Sequence, residues 1–462
     1  MAGNDSIPRG RLRRTAEIGE LVGGQAVRTA ATRAANLTRS ADAKQVADER
    51  RAVAAAAQIV DVLGHMKGAA MKVGQIASFI DPTGLPEDER ARFQAKLATL
   101  RDSAPRVGFE KMRKVVEDDI DQPLEEAFAE FEPDAVAAAS IGQVYRARLL
   151  DGRQVAVKVQ YPGVGAAVRA DVQNIGLLVR AAKRIAPELD TKAVADELRE
   201  RLIEELDYEH EADAQRAFAR RFRGHPYIVV PQVVSDLSGE RVLVTEWAGG
   251  TGFEEVKRRD RATRDRFGEI VFRFFYGSLY RDGQFSGDPH PGNYVLLDDG
   301  RVAFVDFGMT KRMAPDRLDR EKAAVRDALA GDAAGVRREL AALGFLSAED
   351  PAVESDTLLA WVQSLHEWHL EDRPFTVTTD FVSRLIVSGV PGSSNWELEK
   401  HLSLPPDAIV ARRLEVFVIG VMGQLEATAN WHRIMAELLD GAPPSTALGE
   451  QEAAFFAARR RA

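Results

Sequence analysis

Residues 287–308 read GDPHPGNYVLLDDGRVAFVDFG, from Gly287 to Gly308. Three oxygen-bearing side chains recur here at fixed intervals: Asp288, Asn293 five positions on, and Asp306 opening Asp306-Phe307-Gly308. Between the second and the third, two short apolar runs, Tyr294–Leu297 and Val302–Val305, flank Asp298-Asp299-Gly300-Arg301. An Asp-Gly pair between β-branched and aromatic residues predicts a tight hairpin. The stretch therefore places an acid and an amide before a hairpin and a second acid directly after it.

An aspartate, an asparagine five residues later and a DFG after a hairpin form the metal- and nucleophile-handling half of a protein-kinase-like site. The other half requires a lysine on an upstream strand. Gln154–Gln160 reads QVAVKVQ, alternating and β-branched, and carries Lys158; Asp151-Gly152 turns back to the preceding strand, Gln143–Leu149. A lysine in a strand is most often a solvated edge residue. Facing Asp288 and Asp306 across a cleft, Lys158 becomes the expected ligand of the α- and β-phosphates. Phosphoryl transfer asks a protein mainly to place charges around phosphates and Mg²⁺. Val242–Trp247, followed by Ala248-Gly249-Gly250, reads as an interlobe hinge, with backbone groups near Glu246 and Ala248 meeting adenine.

Composition narrows the class. The 462 residues include no cysteine, which excludes disulfide frameworks and thiolate metal sites. A net charge of −9 argues against general nucleic-acid affinity. The first residues, MAGNDSIPRGRLRR, contain no apolar core of a secretory signal, and no apolar run reaches the length of a membrane span. Val416–Met422, the nearest approach to one, sits among charges and reads as a buried helix. A cytoplasmic location is expected, with peripheral membrane association left open.

The expected organisation is α+β, a protein-kinase-like bilobal fold with a helical N-terminal extension and extra C-terminal helices. Residues 1–40 form a basic arm carrying Arg9, Arg11, Arg13, Arg14, Arg28, Arg33 and Arg39, a solvated segment or a basic helix at a membrane surface. Residues 41–120 form the extension. One face of its helix carries core residues such as Ile59, Leu63 and Met66, and another carries Gly64, Gly68, Lys72 and Gln75. The glycines suggest close backbone approach, with Lys72 and Gln75 aimed at the neighbour. Residues 121–247 form the N-lobe with a helical insert at 164–222 interrupted at Pro187, 248–345 the C-lobe core, and 346–462 a helical C-terminal region. The basic tail Arg459–Arg461 is expected to be mobile.

The pattern departs from an ordinary protein kinase in two places. Where a glycine-rich loop should cover the phosphates, the chain reads Ala137-Ala138-Ala139-Ser140-Ile141-Gly142. Alanine runs are mostly helical, yet this one lies one strand before Lys158, where a phosphate loop belongs. Alanine in place of glycine removes positive-φ conformations and stiffens such a loop. No Ala-Pro-Glu follows the DFG at a useful distance; Ala314-Pro315-Asp316 comes too soon to frame a segment for a protein substrate.

Together with Lys72-Val73-Gly74-Gln75 (KxGQ), Ala137–Gln143 (AAASIGQ), Glu205-Leu206-Asp207 (ExD) with Glu211, and Asp288–Asn293 (DPHPGN), these departures resemble the AarF/UbiB family of atypical kinases. The resemblance covers about residues 45–310. It implies a two-lobed kinase-like fold binding ATP and Mg²⁺, with the extension packed across the site and blocking the groove a peptide would use. Its members are associated with isoprenoid (ubiquinone-type) quinone biosynthesis and membrane lipid processes, acting as ATPases or small-molecule kinases. By the same resemblance Lys158 pairs phosphates and Glu211 holds Lys158. Asp288 is the base or orients the nucleophile, Asn293 and Asp306 hold Mg²⁺, and Lys72 and Gln75 reach into the cleft. On a regular helix Glu205 and Asp207 stand about 200° apart, so they cannot share a partner. Either Asp207 and Glu211 face the cleft with Glu205 turned to the KxGQ helix, or the helix is distorted there. Ser286-Gly287 replaces the His-Ala often found before DPHPGN, which leaves open how the catalytic loop is braced.

The leading expectation is a phosphotransferase or ATPase that uses ATP and Mg²⁺ on a small-molecule or lipid-like substrate, with no nucleic-acid partner. A nucleotide-binding regulator without turnover would tend to have lost one of Lys158, Asp288, Asn293 and Asp306. A Ser/Thr protein kinase is disfavoured by the alanine run and the missing activation segment. The chain lacks the GxxxxGK[ST] of an ATP-binding transporter subunit.

Overall fold

Gln154–Gln160 (β4) shows how alternation builds the first part of the molecule. Val155, Val157 and Val159 are fully buried, while Ala156 and Lys158 take the other, partly exposed face. β4 lies between Gly142–Leu149 (β3) and Val242–Glu246 (β6) in an antiparallel sheet that continues through β3 to Phe128–Phe131 (β1). The β3–β4 turn uses Gly152 at φ 88°, and Asp151 Oδ1 accepts from Arg153 N at 3.0 Å. Helix Phe109–Ile120 (α1) buries Met112, Val115 and Val116. At its last turn Asp119 accepts hydrogen bonds from Arg241 N and Val242 N at 3.0 and 2.9 Å, fastening it to the start of β6.

The structure, a computed structural model, describes residues 107–139, 141–170, 199, 203–388 and 395–461. The basic arm, the KxGQ motif with Lys72 and Gln75, and most of the insert at 164–222 therefore lie outside the described residues. The chain divides into two compact units, one taking residues up to His210 with Val233–Glu246, the other Glu211–Gln232 with Trp247 onward. The last of the three boundaries falls between Glu246 and Trp247, inside the stretch read as a hinge.

In the second unit, helix Arg261–Asp282 (α3) is buried around most of its circumference from Phe267 to Tyr280, as expected of a helix inside a large core. Asp260 caps its start by accepting from Thr263 N at 2.9 Å, and Gly283, at φ 61°, ends it. Around α3 pack Tyr208–Arg221 (α2), Ile409–Leu425 (α7), Trp431–Asp440 (α8) and Ala447–Arg461 (α9). Pro315–Ala330 (α4), Ala333–Ala342 (α5) and Ser355–Leu365 (α6) form the rest of the helical region with shorter helices. The mainly helical reading beyond residue 310 needs the addition of two-residue strands at Phe375–Thr376 and Thr428–Ala429. None of the described helices is long and apolar enough to cross a membrane. Val416–Met422 falls within α7, where Phe417–Met422 are buried.

The basic tail, expected to be mobile, is instead the helical end of α9. Arg459, in the last turn of α9, donates from its guanidinium to the carbonyls of Arg221 and Arg220 at 2.8 and 3.1 Å, at the carboxyl end of α2. Burial of Phe222 and His225 beside Phe456 and Phe455 supplies the apolar part of that docking.

Candidate active site

The predicted hairpin forms as strands Tyr294–Leu296 (β8) and Val302–Phe304 (β9), antiparallel with Tyr294 opposite Phe304, and with Val302 and Ala303 also pairing in parallel to Ile228–Val229 (β5). Its turn repeats the chemistry of the β3–β4 turn. Gly300 takes φ 81°, and Asp299 Oδ1 accepts from Arg301 N at 3.0 Å. Residues ahead of β8 are tied down by their own backbone. Gln284–Ser286 (β7) pairs with Thr310–Arg312 (β10), and Gly287 N donates to Met309 O at 2.8 Å. That backbone link, rather than a histidine side chain, joins the DPHPGN loop to the segment after the DFG.

Within the loop, His290 Nδ1 accepts from Gly292 N at 3.1 Å and Tyr294 Oη donates to Pro289 O at 3.2 Å. Burial, and then the charge of Asp288, hold the Tyr294 phenol well above its ordinary range, so it remains a hydrogen-bond donor. Asn293 Nδ2 donates to Asp288 O at 3.2 Å, and Val305 N donates to Asn293 O at 2.9 Å. The first bond closes the five-residue interval of the motif; the second joins Asn293 to the residue before Asp306. Asp288 is buried, at 4% exposure, whereas Asn293 and Asp306 are partly open to solvent.

The DFG is anchored by its phenylalanine. Phe307 is fully buried, with its ring centroid 4.9 Å from Phe218 of α2 and 6.4 Å from Phe274 of α3. The same helix α2 carries Glu211, buried at 3% exposure. A Cβ built on Gly308 would lie 3.3 Å from Glu211 Oε2 and 3.6 Å from Asp306 Oδ1, so the glycine leaves room for both carboxylates. Gly308 N donates to Asp306 Oδ1 at 3.1 Å. The second unit thus brings together Glu211, Asp288, Asn293 and Asp306 around one loop and one DFG.

The remaining predicted residues lie in the first unit or at its edge. Lys158, opposite Val144 on β3 and Leu243 on β6, places its ammonium 5.0 Å from the centre of the Tyr208 ring. Ala137–Ala138 form a two-residue strand (β2) against Val144 and Gln143, not a helix, and both are exposed. Ala139 N donates to Gly142 O at 2.9 Å, closing the turn. Ser140 lies outside the described residues. Glu246 ends β6 opposite Val155, and Ala248 follows as the second residue beyond the unit boundary, both partly exposed.

The Glu205–Asp207 segment resolves the geometric choice in favour of a distorted helix. Helical backbone stops after Glu204, Glu205 and Leu206 form a turn, and α2 restarts at Tyr208. Asp207, exposed, caps the restarted helix by accepting from His210 N at 2.8 Å. Leu206 O in that turn accepts from the buried Gln160 Nε2 at 2.9 Å, which ties the break to the end of β4.

One charged neighbour was not foreseen. Arg413 of α7 lies 3.8 Å from Asp288 Oδ1, with the two side chains 10% and 5% exposed. No local motif announces an arginine so far along the chain. Its only sequence signal is the Arg412-Arg413 pair inside a strongly apolar helix.

Comparison with known proteins identifies the family. A family profile described as the ABC1 atypical kinase-like domain matches residues 99–340. An uncharacterized chloroplastic aarF domain-containing protein kinase of Arabidopsis thaliana is 33% identical over 308 residues, 64% of this chain and 42% of that protein. The mitochondrial atypical kinase coq-8 of Caenorhabditis elegans is 28% identical over 361 residues, 76% of this chain and 46% of that protein. The chain thus spans less than half the length of either of these two relatives. A solved structure, the complex of Rv3197 with erythromycin from Mycobacterium tuberculosis, has a TM-score of 0.63 and 31% identity, covering 84% of this chain and 97% of that one. The fold is kinase-like, and the chain belongs to the ABC1 (AarF/UbiB) family of atypical kinases.

Proposed function

We propose that the protein is a Mg²⁺-dependent, ATP-binding atypical kinase or ATPase that acts on a small or lipid-like molecule rather than on proteins. The observation that carries this reading is the convergence of Asp288, Asn293, Asp306 and Glu211 on the catalytic loop and DFG of one unit. Asn293 and Asp306 fit Mg²⁺, which takes hard oxygen donors and keeps several ligand positions for water and phosphate. The amide nitrogen of Asn293 is committed to Asp288 O, leaving its carbonyl oxygen as the donor of the right kind. Bound there, Mg²⁺ would neutralise charge on the transferred phosphoryl group.

Lys158 would meet the α- and β-phosphates, held by Glu211, and the hinge backbone near Glu246 and Ala248 would meet adenine. The segment from Ala137 to Ala139 would lie over the phosphates, stiffer than a glycine-rich loop, with Ser140 as a further phosphate contact. Asp288 would orient or deprotonate the nucleophile. From the extension, Lys72 and Gln75 would gate access, with Glu205 and Asp207 as their partners.

A small acceptor is favoured over a peptide by the chain after the DFG. Gly308 leads through β10, paired to β7, directly into α4 at Pro315, with no long segment on which a protein substrate could lie. The neighbour solved with erythromycin also holds a small molecule. An isoprenoid phenol or another membrane-associated acceptor fits the family, and the basic arm at 1–40 would supply peripheral membrane contact at the cytoplasmic face. Measuring ATP turnover with Mg²⁺, with and without anionic liposomes and isoprenoid phenols, tests the reading. Stimulation by either addition supports a lipid-like acceptor, and absence of Mg²⁺-dependent turnover under all conditions contradicts the enzyme.

A further inference from the structure

Helix α7 reaches the catalytic loop through two residues one turn apart. Val410 packs so closely on Gly287 that a Cβ built there would lie 2.6 Å from Val410 Cγ1 and 3.1 Å from Met309 O. Arg413, on the next turn, brings its guanidinium 3.8 Å from Asp288 Oδ1 and 3.8 Å from Met309 Sδ. One face of α7 therefore touches the two residues that open the DPHPGN loop and the residue that follows the DFG. The Ser286-Gly287 departure acquires a reason here, since any side chain at 287 would displace this helix.

Arg413 is not arranged as ordinary structural glue. Its neighbour Arg412 is, making ion pairs with Glu321 and Glu415 at 2.7 and 3.0 Å. Arg413 holds Asp288 at a distance too long for a direct hydrogen bond, and its Nε, like that of Arg412, is buried with no hydrogen-bond partner among the described residues; unlike Arg412 it makes no close ion pair there to offset this. Burying a guanidinium with so few of its donors used is costly. The ring of Phe417, 5.0 Å away on the next turn, keeps the group in place. A buried, pre-oriented and under-used arginine against an acid is a means of fixing that acid's direction.

We propose that Arg413 is a positioning residue for Asp288, by which the C-terminal helical region sets the geometry of the catalytic loop. The proposal rests on the ATP-turnover reading above. The test compares steady-state turnover of MgATP by wild type, R413M, R413K, D288N and the double variant D288N/R413M. Nucleotide affinity, read with a fluorescent ATP analogue, and thermal unfolding are measured on the same proteins. R413M is expected to lower kcat by about ten- to a hundredfold, the scale of a misplaced catalytic group, with nucleotide affinity within about twofold of wild type. R413K should recover part of the loss, and D288N/R413M should be no slower than D288N. Unchanged kcat in R413M, a loss confined to nucleotide affinity, or a double variant slower by the product of both factors overturns the role. If R413M does not fold, R413K carries the test alone, and wild-type kcat in it overturns the proposal. Wild type without turnover overturns the underlying reading and the positioning role with it, whereas a turning-over wild type matched by R413M overturns the positioning role alone.

Discussion

Replacing Arg273 by methionine should be among the most damaging single changes available in the second unit. Arg273 sits in the middle of α3, 1% exposed, and donates to Glu269 at 2.7 Å, Glu437 of α8 at 2.8 Å, Glu452 of α9 at 3.2 Å and Thr446 at 3.0 Å. Burial alone would push the guanidinium toward losing its proton. Glu437, Glu269 and Glu452 more than reverse that and hold it above its ordinary value. At an effective dielectric of about 20, contacts of this length are each worth roughly 5–6 kcal/mol before desolvation is counted. Desolvation cancels most of that gain, and breaking one side of such a cluster typically costs about 3–5 kcal/mol because the partners stay buried. Methionine fills the stem's space but leaves Glu269 and Glu437 facing each other, while Arg281 still reaches Glu452 at 3.0 Å. For a unit of this size, about 2–4 °C per kcal/mol predicts a fall in Tm of roughly 6–20 °C. Thermal unfolding of R273M beside wild type measures it. A shift under about 2 °C would show that the carboxylates reach water without cost and that the cluster does not hold α8 and α9 to α3.

Two further predictions follow from the first unit and from the α2–α9 junction. Ala138→Gly should alter the ratio of ATP to ADP affinity, because backbone freedom and one methyl are all that change in a turn proposed to lie over the phosphates; identical affinities for both nucleotides would remove the turn from the site. His225 is 3% exposed, with its Nδ1 accepting from Ile228 N at 3.1 Å, and burial pushes its pKa down from 6.5 to about 3. The folded protein thus keeps it neutral where the unfolded chain protonates it. The stability this provides is complete above about pH 6.5 and falls by about 1.4 kcal/mol per pH unit as the pH drops toward 3. His225→Asn should flatten the pH dependence of unfolding between pH 6.5 and 4, and an unaltered slope would refute the assignment.

Legibility in the sequence tracked how local each feature is. Asp288, Asn293 and Asp306 are contiguous with the hairpin that spaces them, and both hairpins use the same Asp-Gly-Arg turn, so their backbone followed from residue type alone. Lys158 was readable because Val155, Val157 and Val159 alternate with it. The break at Glu205–Asp207 was half readable. Helical spacing showed that the two acids could not cooperate on one helix, but not that Asp207 would become a cap. Ala137–Ala138 turned into a strand because β3 offers an edge, a tertiary fact that overrides alanine's helical preference. Arg459 and Arg413 were illegible for a similar reason. Each acts on a partner far away in the chain, and exposed tails and apolar helices look alike whatever they dock against.

The proposed role of Asp306 and Asn293 is to hold Mg²⁺ for a nucleotide whose phosphoryl group is transferred. The most direct measurement is Mg²⁺-dependent ATP turnover by wild type and Asp306→Asn, with unfolding followed in parallel. Asp306 is partly exposed and its hydrogen bond from Gly308 N can be kept by an amide oxygen, so the variant should fold normally. It loses the carboxylate charge that a hard cation needs. D306N is expected to fold and to show no turnover. A folded D306N that hydrolyses ATP at the wild-type rate would contradict it.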